Sequence, residues 1–176
     1  MTTLYALCYP TFTDGDRQFI DDLRRENDIA FRDIVAPHFT MLFACDAVPE
    51  LAYREHVCGV ARSQAAIGFS CRYAMVCNDA SNDNYYAFLV PDHGFSEISR
   101  LHDRLYRGVM APHLRLDIPY VPHVAVATDT DGKKIKALCD RLNADGVVID
   151  GRLETITICA FRGATIADLE TLRFRE

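Results

Sequence analysis

Apolar residues along the chain recur at two spacings, which separate the predicted strands from the predicted helices. Continuous or alternating apolar runs predict strands at 4–10, 38–47, 66–77, 85–91, 123–128, 147–150 and 153–161, with a turn at Gly151 and a last edge strand in the terminal LRFRE. Apolar residues three and four positions apart predict helices from Asp14 to Asn27, over 50–63, from Gly94 to Val109 and from 129–132 to Gly146. Strands and amphipathic helices therefore alternate, which indicates an α/β or α+β class with the helices packed outside the sheets.

Two of the predicted strands begin alike. PHFTML at 37–42 and PHVAVA at 122–127 each place Pro-His ahead of a short apolar run, and an Asp-Ile pair precedes the two histidines by five and six residues. The two stretches occupy equivalent places in the two halves of the chain. We therefore expect one domain, 1–176, whose two lobes arise from an internal duplication and are related by a pseudo-twofold axis. The two strands would then face each other across a cleft.

Strand geometry predicts which side chains enter that cleft, because residues i and i+2 of a strand share a face. The first strand would turn one face to the cleft, carrying His38, Thr40 and Leu42. Its other face has aromatic and sulfur side chains that suit a packed core: Phe39, Met41 and Phe43. The second strand would present His123, Ala125 and Ala127. The small alanines would leave space for a substrate.

Charge narrows the class of ligand. The chain of 176 residues has a net charge of −6, a pI near 5.5 and no run of basic residues. Long nucleic acids are held mainly through neutralisation of their phosphates, so we expect no extended RNA or DNA track. A small phosphorylated ligand in a local pocket remains compatible with this charge.

Cysteines and apolar runs bear on the compartment. The seven cysteines form no Cys-x-x-Cys pair, and most fall within predicted strands or helices, as is typical of buried thiols in a reducing compartment. No apolar run approaches the ~20 residues of a membrane span, and the first residues lack the pattern of a secretory signal. We therefore expect a cytoplasmic monomer with no membrane contact, metal or other cofactor.

His-Phe-Thr at 38–40 and His-Val-Ala at 123–125, in their strand context, carry a family resemblance. They resemble the paired His-x-Thr/Ser motifs of the two-histidine (2H) phosphoesterase superfamily, which includes the 2′-5′ RNA ligase-like proteins and cyclic nucleotide phosphodiesterases. The resemblance covers about residues 4–175 and implies an α+β, bilobal fold, with two mainly antiparallel sheets around a central cleft that holds both histidines. The second motif is degenerate, since Ala125 replaces the Thr/Ser and Thr128 replaces a basic residue often found there.

The side chains of the two motifs indicate the chemistry. His38 and His123 can titrate near neutral pH, so that one neutral imidazole deprotonates water while one protonated imidazole protonates the leaving oxygen. The Thr40 hydroxyl would donate to a non-bridging phosphate oxygen. Together with the resemblance, these roles predict metal-independent hydrolysis of a 2′,3′-cyclic or 2′-5′-linked nucleotide phosphodiester. Because Ala125 lacks the second hydroxyl, we expect a weaker or redirected activity.

Further residues are candidates for holding the remainder of the substrate. Tyr120 is the first candidate for stacking on a base, followed by Tyr9 and Phe12 at the end of the first strand. Arg162 and Arg72 are candidates for the phosphate contact that the degenerate motif does not make. Each of the five also fits a plain structural role.

Two other interpretations stay open. A non-catalytic module could keep the fold and bind a nucleotide or phosphorylated metabolite, which the degenerate second motif favours and the pair of histidines disfavours. Alternatively, both histidines are structural side chains bonded to the backbone of an ordinary domain. A panel of 2′,3′-cyclic nucleotides, 2′-5′-linked dinucleotides and ADP-ribose cyclic phosphates would separate these interpretations.

Overall fold

The computed structural model describes residues 2–78, 82–162 and 165–175, except for the side chain of Arg162. Strands and α-helices follow one another in these residues as β1 (Leu4–Cys8), β2 (Thr11–Phe12), α1 (Asp14–Asn27), β3 (Phe39–Cys45), α2 (Glu50–Ser63), β4 (Ile67–Asn78), β5 (Tyr85–His93), α3 (Phe95–Leu105), β6 (Val124–Asp129), α4 (Gly132–Ala144), β7 (Ile149–Leu153), β8 (Thr155–Arg162) and β9 (Thr165–Arg173). A 3-10 helix, Gly108–His113, lies between α3 and β6.

The strands form two antiparallel sheets, which confirms the predicted α+β class. One sheet has the strand order β3-β1-β8-β9 and the other has the order β2-β7-β4-β5-β6. β3 and β6, which follow the two Pro-His pairs, are therefore each the edge strand of a different sheet. The internal duplication stays a prediction.

The helices form where polar caps and apolar stripes coincide. Thr13 caps α1 by accepting a hydrogen bond from the Asp16 N–H at 3.2 Å, and α1 buries Ile20 and Leu23 on one face. Asp131 caps α4 by accepting from the Lys133 N–H at 2.9 Å. α4 packs on β4 and β5, α2 on β8 and β9, and α3 against β3 and β5. α1 instead packs on β6, so its last turn reaches the space between the sheets.

The third helix is shorter than the apolar spacing predicts. It ends at Leu105, and Gly108 adopts a positive φ of 55°, which an α-helix does not tolerate. The chain continues as the 3-10 helix, which leaves Val109 45% exposed instead of packed on the helical stripe.

Gly151 is a strand residue and not the predicted turn. It pairs with Phe69 within the second sheet, and a Cβ at this position would lie 2.4 Å from the Phe69 ring. Glycine is therefore required by a close approach within β7 and not by a reversal of the chain. The edge strand expected in the last residues begins earlier, since β9 starts at Thr165 and pairs with the whole length of β8.

The state of the cysteines and the length of the helices are read directly from the structure. All seven cysteines are free thiols, and five of them are buried. Within the described part of the chain, no helix is long and apolar enough to cross a membrane.

Candidate active site

A cleft of about 610 Å³ is lined by side chains from both sheets, from the last turn of α1 and from the loops that precede β3 and β6. The sequence-predicted residues that line it are His38, Thr40, Tyr120, His123 and Ala125. One histidine directly precedes the edge strand of each sheet, and both histidines reach the same space. A cleft of this size can enclose a ligand as large as a nucleotide.

The two histidines are held by the same hydrogen bond. His38 donates from Nδ1 to the Ala36 carbonyl oxygen at 2.8 Å, and His123 donates from Nδ1 to the Val121 carbonyl oxygen at 2.7 Å. A carbonyl oxygen can only accept, so Nδ1 carries the proton in both neutral rings. Neither Nε2 hydrogen-bonds to another described residue. Both imidazoles therefore keep the same nitrogen for a ligand.

Burial shifts the titration of both rings. His123 stacks on Phe88 with the ring centroids 3.5 Å apart and nearly parallel planes, and burial lowers the pKa of His123 to about 4, with the nearby His38 charge adding to the shift. Burial likewise lowers the pKa of His38, against the opposing effect of its bond to Ala36. Since desolvation penalises the charged form, both imidazoles are neutral at pH 7 when the cleft contains no anion.

A bulge in β3 changes which side chains reach the cleft. Ala6 of β1 pairs with Leu42, and its neighbour Leu7 pairs with Thr40. β3 therefore has one additional residue, Met41, between the two pairs. The alternation of faces therefore shifts after Thr40. Leu42 is fully buried and Phe43 lines the cleft, which is the reverse of the predicted assignment.

β6 carries a similar bulge. Ala87 and Phe88 of β5 pair with Ala127 and Ala125, so that β6 has one additional residue between its partners. Ala127 is fully buried, and Thr128 reaches the cleft in its place. The prediction that Ala127 opens space for a substrate is therefore wrong, whereas Ala125 does line the cleft.

Arg24 and Asp28, at the end of α1, are cleft residues that the sequence reasoning missed. Their side chains are buried and form a salt bridge with 3.0 Å between Nε and Oδ2, and the Thr128 hydroxyl donates to Asp28 Oδ1 at 2.8 Å. Arg24 also donates to the carbonyl oxygens of Phe31 and Val35 at 3.3 and 2.8 Å. The network fixes the segment between α1 and β3 as a wall of the cleft. An arginine on the apolar face of a helix, four residues before an aspartate, was the readable signal.

Tyr120 lines the cleft and makes two contacts of its own, while its stacking on a base stays a prediction. Its ring stacks on His102 at a centroid distance of 3.6 Å, and its hydroxyl donates to the Thr40 carbonyl oxygen at 3.2 Å. Tyr106 accepts from the Phe43 N–H at 3.1 Å. Two tyrosines therefore satisfy backbone groups on the open edge of β3. Tyr120 thus links the segment before His123 to the other motif strand, with one face of its ring against His102.

The remaining candidates lie apart from the cleft or beside it. Tyr9 contacts the edge of the His38 ring at a centroid distance of 6.3 Å and donates its hydroxyl to Asp168 at 3.2 Å. Phe12 packs against Phe69 at a centroid distance of 6.1 Å and is not a cleft residue, which corrects that prediction. Arg72 forms an exposed ion pair with Asp92 at 2.8 Å, also outside the cleft, because its strand position faces solvent.

Arg162 is described only through its backbone, which pairs with Thr165. The predicted phosphate contact of its side chain lies outside the described residues. Among the described residues, no group of three or more histidine, cysteine, aspartate or glutamate side chains converges on a point that a metal could occupy.

A row of aromatic rings leads away from His123. Phe88 stacks on the imidazole, Tyr86 lies 5.9 Å from Phe88, and Phe31 lies 6.3 Å from Tyr86. All four side chains line the cleft. Tyr86 and Phe88 share a face of β5 because they are two residues apart, so the strand YYAFLVP contained the signal for this row.

Comparisons with known proteins agree with this geometry. Residues 12–164 match the family model of the 2′-5′ RNA ligase superfamily. A search of curated proteins found no significant match. Among solved structures, apo LigT of E. coli superposes with a TM-score of 0.60 at 14% identity, over 99% of this chain and 98% of LigT. LigT crystallised with NADP+ gives 0.60 at 15% identity, over 99% of each chain. Usb1 of Kluyveromyces marxianus gives 0.59 at 10% identity, over 98% of each chain. The chain therefore belongs to the 2′-5′ RNA ligase superfamily of two-histidine phosphoesterases.

Proposed function

We propose that this protein is a phosphodiesterase that hydrolyses a 2′,3′-cyclic or 2′-5′-linked nucleotide phosphodiester without a metal, with His38 and His123 as its general acid and base. The observation that carries the proposal is the matched pair of imidazoles. Each is held through Nδ1 by a backbone carbonyl two residues earlier, and each keeps Nε2 for a ligand in the same cleft. A structural histidine needs no such matching partner.

The two nitrogens suffice for both proton transfers. Nε2 of the neutral imidazole removes a proton from water as the water oxygen bonds to phosphorus. The P–O bond on the opposite side breaks, and Nε2–H of the protonated imidazole donates its proton to the leaving oxygen. The two rings exchange protonation states in the step, and solvent restores them. Placing one imidazole on each sheet supports this in-line arrangement, because attacking and leaving oxygens lie on opposite sides of phosphorus.

Phosphate binding is expected to be asymmetric. Thr40 lines the cleft, and its hydroxyl has no hydrogen-bond partner among the described residues, so it can donate to a non-bridging oxygen. On the opposite strand Ala125 has no donor, and the Thr128 hydroxyl is bonded to Asp28. The loss of one hydrogen bond to a charged group corresponds to about 10- to 100-fold in rate. The proposed enzyme is therefore slower on a generic substrate than a member with two hydroxyls.

The aromatic row supports a nucleotide as the substrate. The rings of Phe31 and Tyr86 lie along the cleft at stacking distances from their neighbours, and aromatic rings bind bases with little sequence preference. LigT, a member of similar fold, has been crystallised with 3′-AMP, ATP and NADP+. We therefore extend nucleotide binding to this chain.

Hydrolysis of the substrate panel by purified protein tests the proposal. His38→Gln and His123→Gln should each lower kcat by about 100-fold or more, since general acid–base catalysis contributes 10²- to 10⁴-fold. His56→Gln is the matched control, because that histidine donates from Nε2 to the Leu105 carbonyl oxygen at 2.8 Å, away from the cleft. Activity should persist in EDTA. Loss of turnover in EDTA with recovery on adding a divalent ion would refute the metal-independent mechanism.

A nucleotide-binding module without catalysis is the second candidate, and the degenerate second motif favours it. Such a module would bind a nucleotide of the panel with a measurable Kd and turn over none. In that case His38→Gln would change affinity without any change in product formation.

A further inference from the structure

We propose that the cleft selects a phosphodiester with a single negative charge, such as a nucleoside 2′,3′-cyclic phosphate or a dinucleoside monophosphate with a free 5′-hydroxyl. It would reject the same compound with an added terminal phosphate. The inference rests on the proposed function and adds the substrate class to it. Two independent features of the cleft carry it: the charges in its wall and the aromatic row.

Charged side chains in the described wall of the cleft offer no spare cation. They are Arg24, Asp28 and Asp117. The Arg24 guanidinium lies against the Asp28 carboxylate and also donates to two backbone carbonyls, so its charge is already neutralised. Asp117 forms an ion pair with Arg115 at 2.6 Å near the surface. With both imidazoles neutral, the described wall carries one positive and two negative side chains.

This wall accommodates a phosphodiester monoanion better than a phosphate monoester. The monoanion can be met by one protonated imidazole and the Thr40 hydroxyl. A terminal phosphate adds up to two further charges at neutral pH. Moving those charges from water into the cleft without a cationic partner is strongly unfavourable, because the cationic side chain in the described wall, Arg24, is already paired with Asp28.

Most of the rest of the described wall is apolar or aromatic. Tyr86 and Phe88 of the second sheet and Phe31 of the segment between α1 and β3 form the row, at successive centroid distances of 6.3 and 5.9 Å. The first sheet and the loop before β6 contribute Phe43, Phe161, Ile166 and Ile118. Such a surface favours a flat base next to the phosphodiester and provides little for a hydrated phosphate group.

A matched pair of substrates tests the selection. We would compare adenosine 2′,3′-cyclic phosphate with its 5′-phosphorylated derivative and measure kcat/KM for each. The added phosphate should lower kcat/KM by about 10- to 100-fold, mainly through KM, because it lacks a charge-assisted partner. Equal kcat/KM values for the two compounds would overturn the inference and leave the proposed phosphodiesterase intact.

Binding keeps the inference testable if no compound is hydrolysed. The same two compounds are titrated into the His38→Gln/His123→Gln double variant, and their dissociation constants are compared. A ratio of about 10 or more in favour of the monoanion supports the inference even where the proposed catalysis fails. A ratio of 1 contradicts it.

Charge variants locate the effect in the cleft. Ile118→Lys places a cation in the cleft wall and should narrow the discrimination between the two substrates. Leu116→Lys is the matched control, because Leu116 is 88% exposed on the same loop and should leave the ratio unchanged. Arg162→Gln tests the side chain outside the described residues. If this change selectively weakens the 5′-phosphorylated substrate, the cleft does hold a cation for a second phosphate and the inference is wrong.

The aromatic row has its own readout. Phe31→Ala and Tyr86→Ala should raise KM for adenosine 2′,3′-cyclic phosphate by about 5- to 100-fold, given the strength of base stacking. They should not affect ribose 2′,3′-cyclic phosphate, which has no base. Phe12→Ala removes a ring outside the cleft and is the control. An equal effect of Phe31→Ala on both substrates would argue against a stacking role.

Discussion

The pH dependence of kcat/KM follows from the two shifted imidazoles. In the reactive form one of the two imidazoles is protonated at Nε2 and the other is not. The pH profile of kcat/KM should therefore rise and fall with the two pKa values of the free protein. Burial lowers the pKa of His123 to about 4 and lowers the pKa of His38 from its ordinary value. We therefore expect a bell-shaped profile with its maximum between about pH 4 and the ordinary histidine value of about 6.5.

Above the upper pKa both rings are neutral, and the reactive form is lost tenfold per pH unit. Between pH 7 and pH 9, kcat/KM should fall about 100-fold. The maximum of kcat should lie at higher pH than that of kcat/KM, because the bound phosphate anion favours the protonated imidazole. Initial rates over pH 4–9 at constant ionic strength give both profiles. A kcat/KM that is flat or rising from pH 7 to pH 9 would refute the acid–base assignment.

Variants at Phe88 separate burial from other causes of the shift. Phe88→Asn replaces the stacked ring with a polar side chain, so water reaches the His123 ring and the acidic limb should move to higher pH. Phe88→Leu keeps an apolar neighbour and should leave that limb near its position. If both variants move the limb equally, the loss of ring stacking and not desolvation sets the pKa.

Four further outcomes are expected. Ala125→Thr should give at most a few-fold gain on a small 2′,3′-cyclic nucleotide and a loss on a 2′-5′ dinucleotide, whereas a uniform gain of about 10- to 100-fold would contradict a pocket adapted to bulk at this position. Tyr120→Phe should lower the free energy of unfolding by about 1–3 kcal/mol in urea denaturation, because a carbonyl of β3 loses its donor. Asp28→Asn should cost about 3–5 kcal/mol in the same assay, because it leaves a buried guanidinium without its counter-charge. Folded His123 stays neutral while the unfolded chain gains a proton, so stability should be full above about pH 6.5 and fall by at most about 3 kcal/mol towards pH 4, a slope that His123→Leu should reduce.

Local signals in the sequence were enough to predict the two motif strands and the order of strands and helices, apart from the two-residue strand β2. Pro-His ahead of an apolar run is readable without the fold, and so is the alternation that pairs Tyr86 with Phe88. The face assignments failed after Thr40 and after Ala125. The position of a bulge depends on the pairing with the partner strand, here β1 or β5. The alternation of residues within one strand therefore does not predict it.

Tertiary placement explains the other differences. Arg24 and Asp28 reach the cleft because α1 packs on β6, a strand about 100 residues away in the chain. The stacking of Tyr120 on His102 of α3 was likewise not predictable, because the two residues are 18 positions apart and meet only in the folded chain. Glycine is a residue type typical of turns, which is why a turn was predicted at Gly151. Its place within a strand is explained by the ring of Phe69, which leaves no room for a Cβ.

Two short chain segments connect the sheets side by side, and they determine how the protein can deform. Tyr9 and Pro10 separate β1 from β2, and Glu154 alone separates β7 from β8, while β1 pairs with β8 and β2 with β7. A rotation of one sheet relative to the other would have its axis near these two connecting segments. β6 lies three strands beyond β7, roughly 14 Å from this axis at ordinary strand spacing. A rotation of about 10° would then move His123 by roughly 2.5 Å relative to the first sheet. Tyr9 lies near this axis with its ring against His38. A small change in the angle between the sheets would therefore change the separation of the two imidazoles.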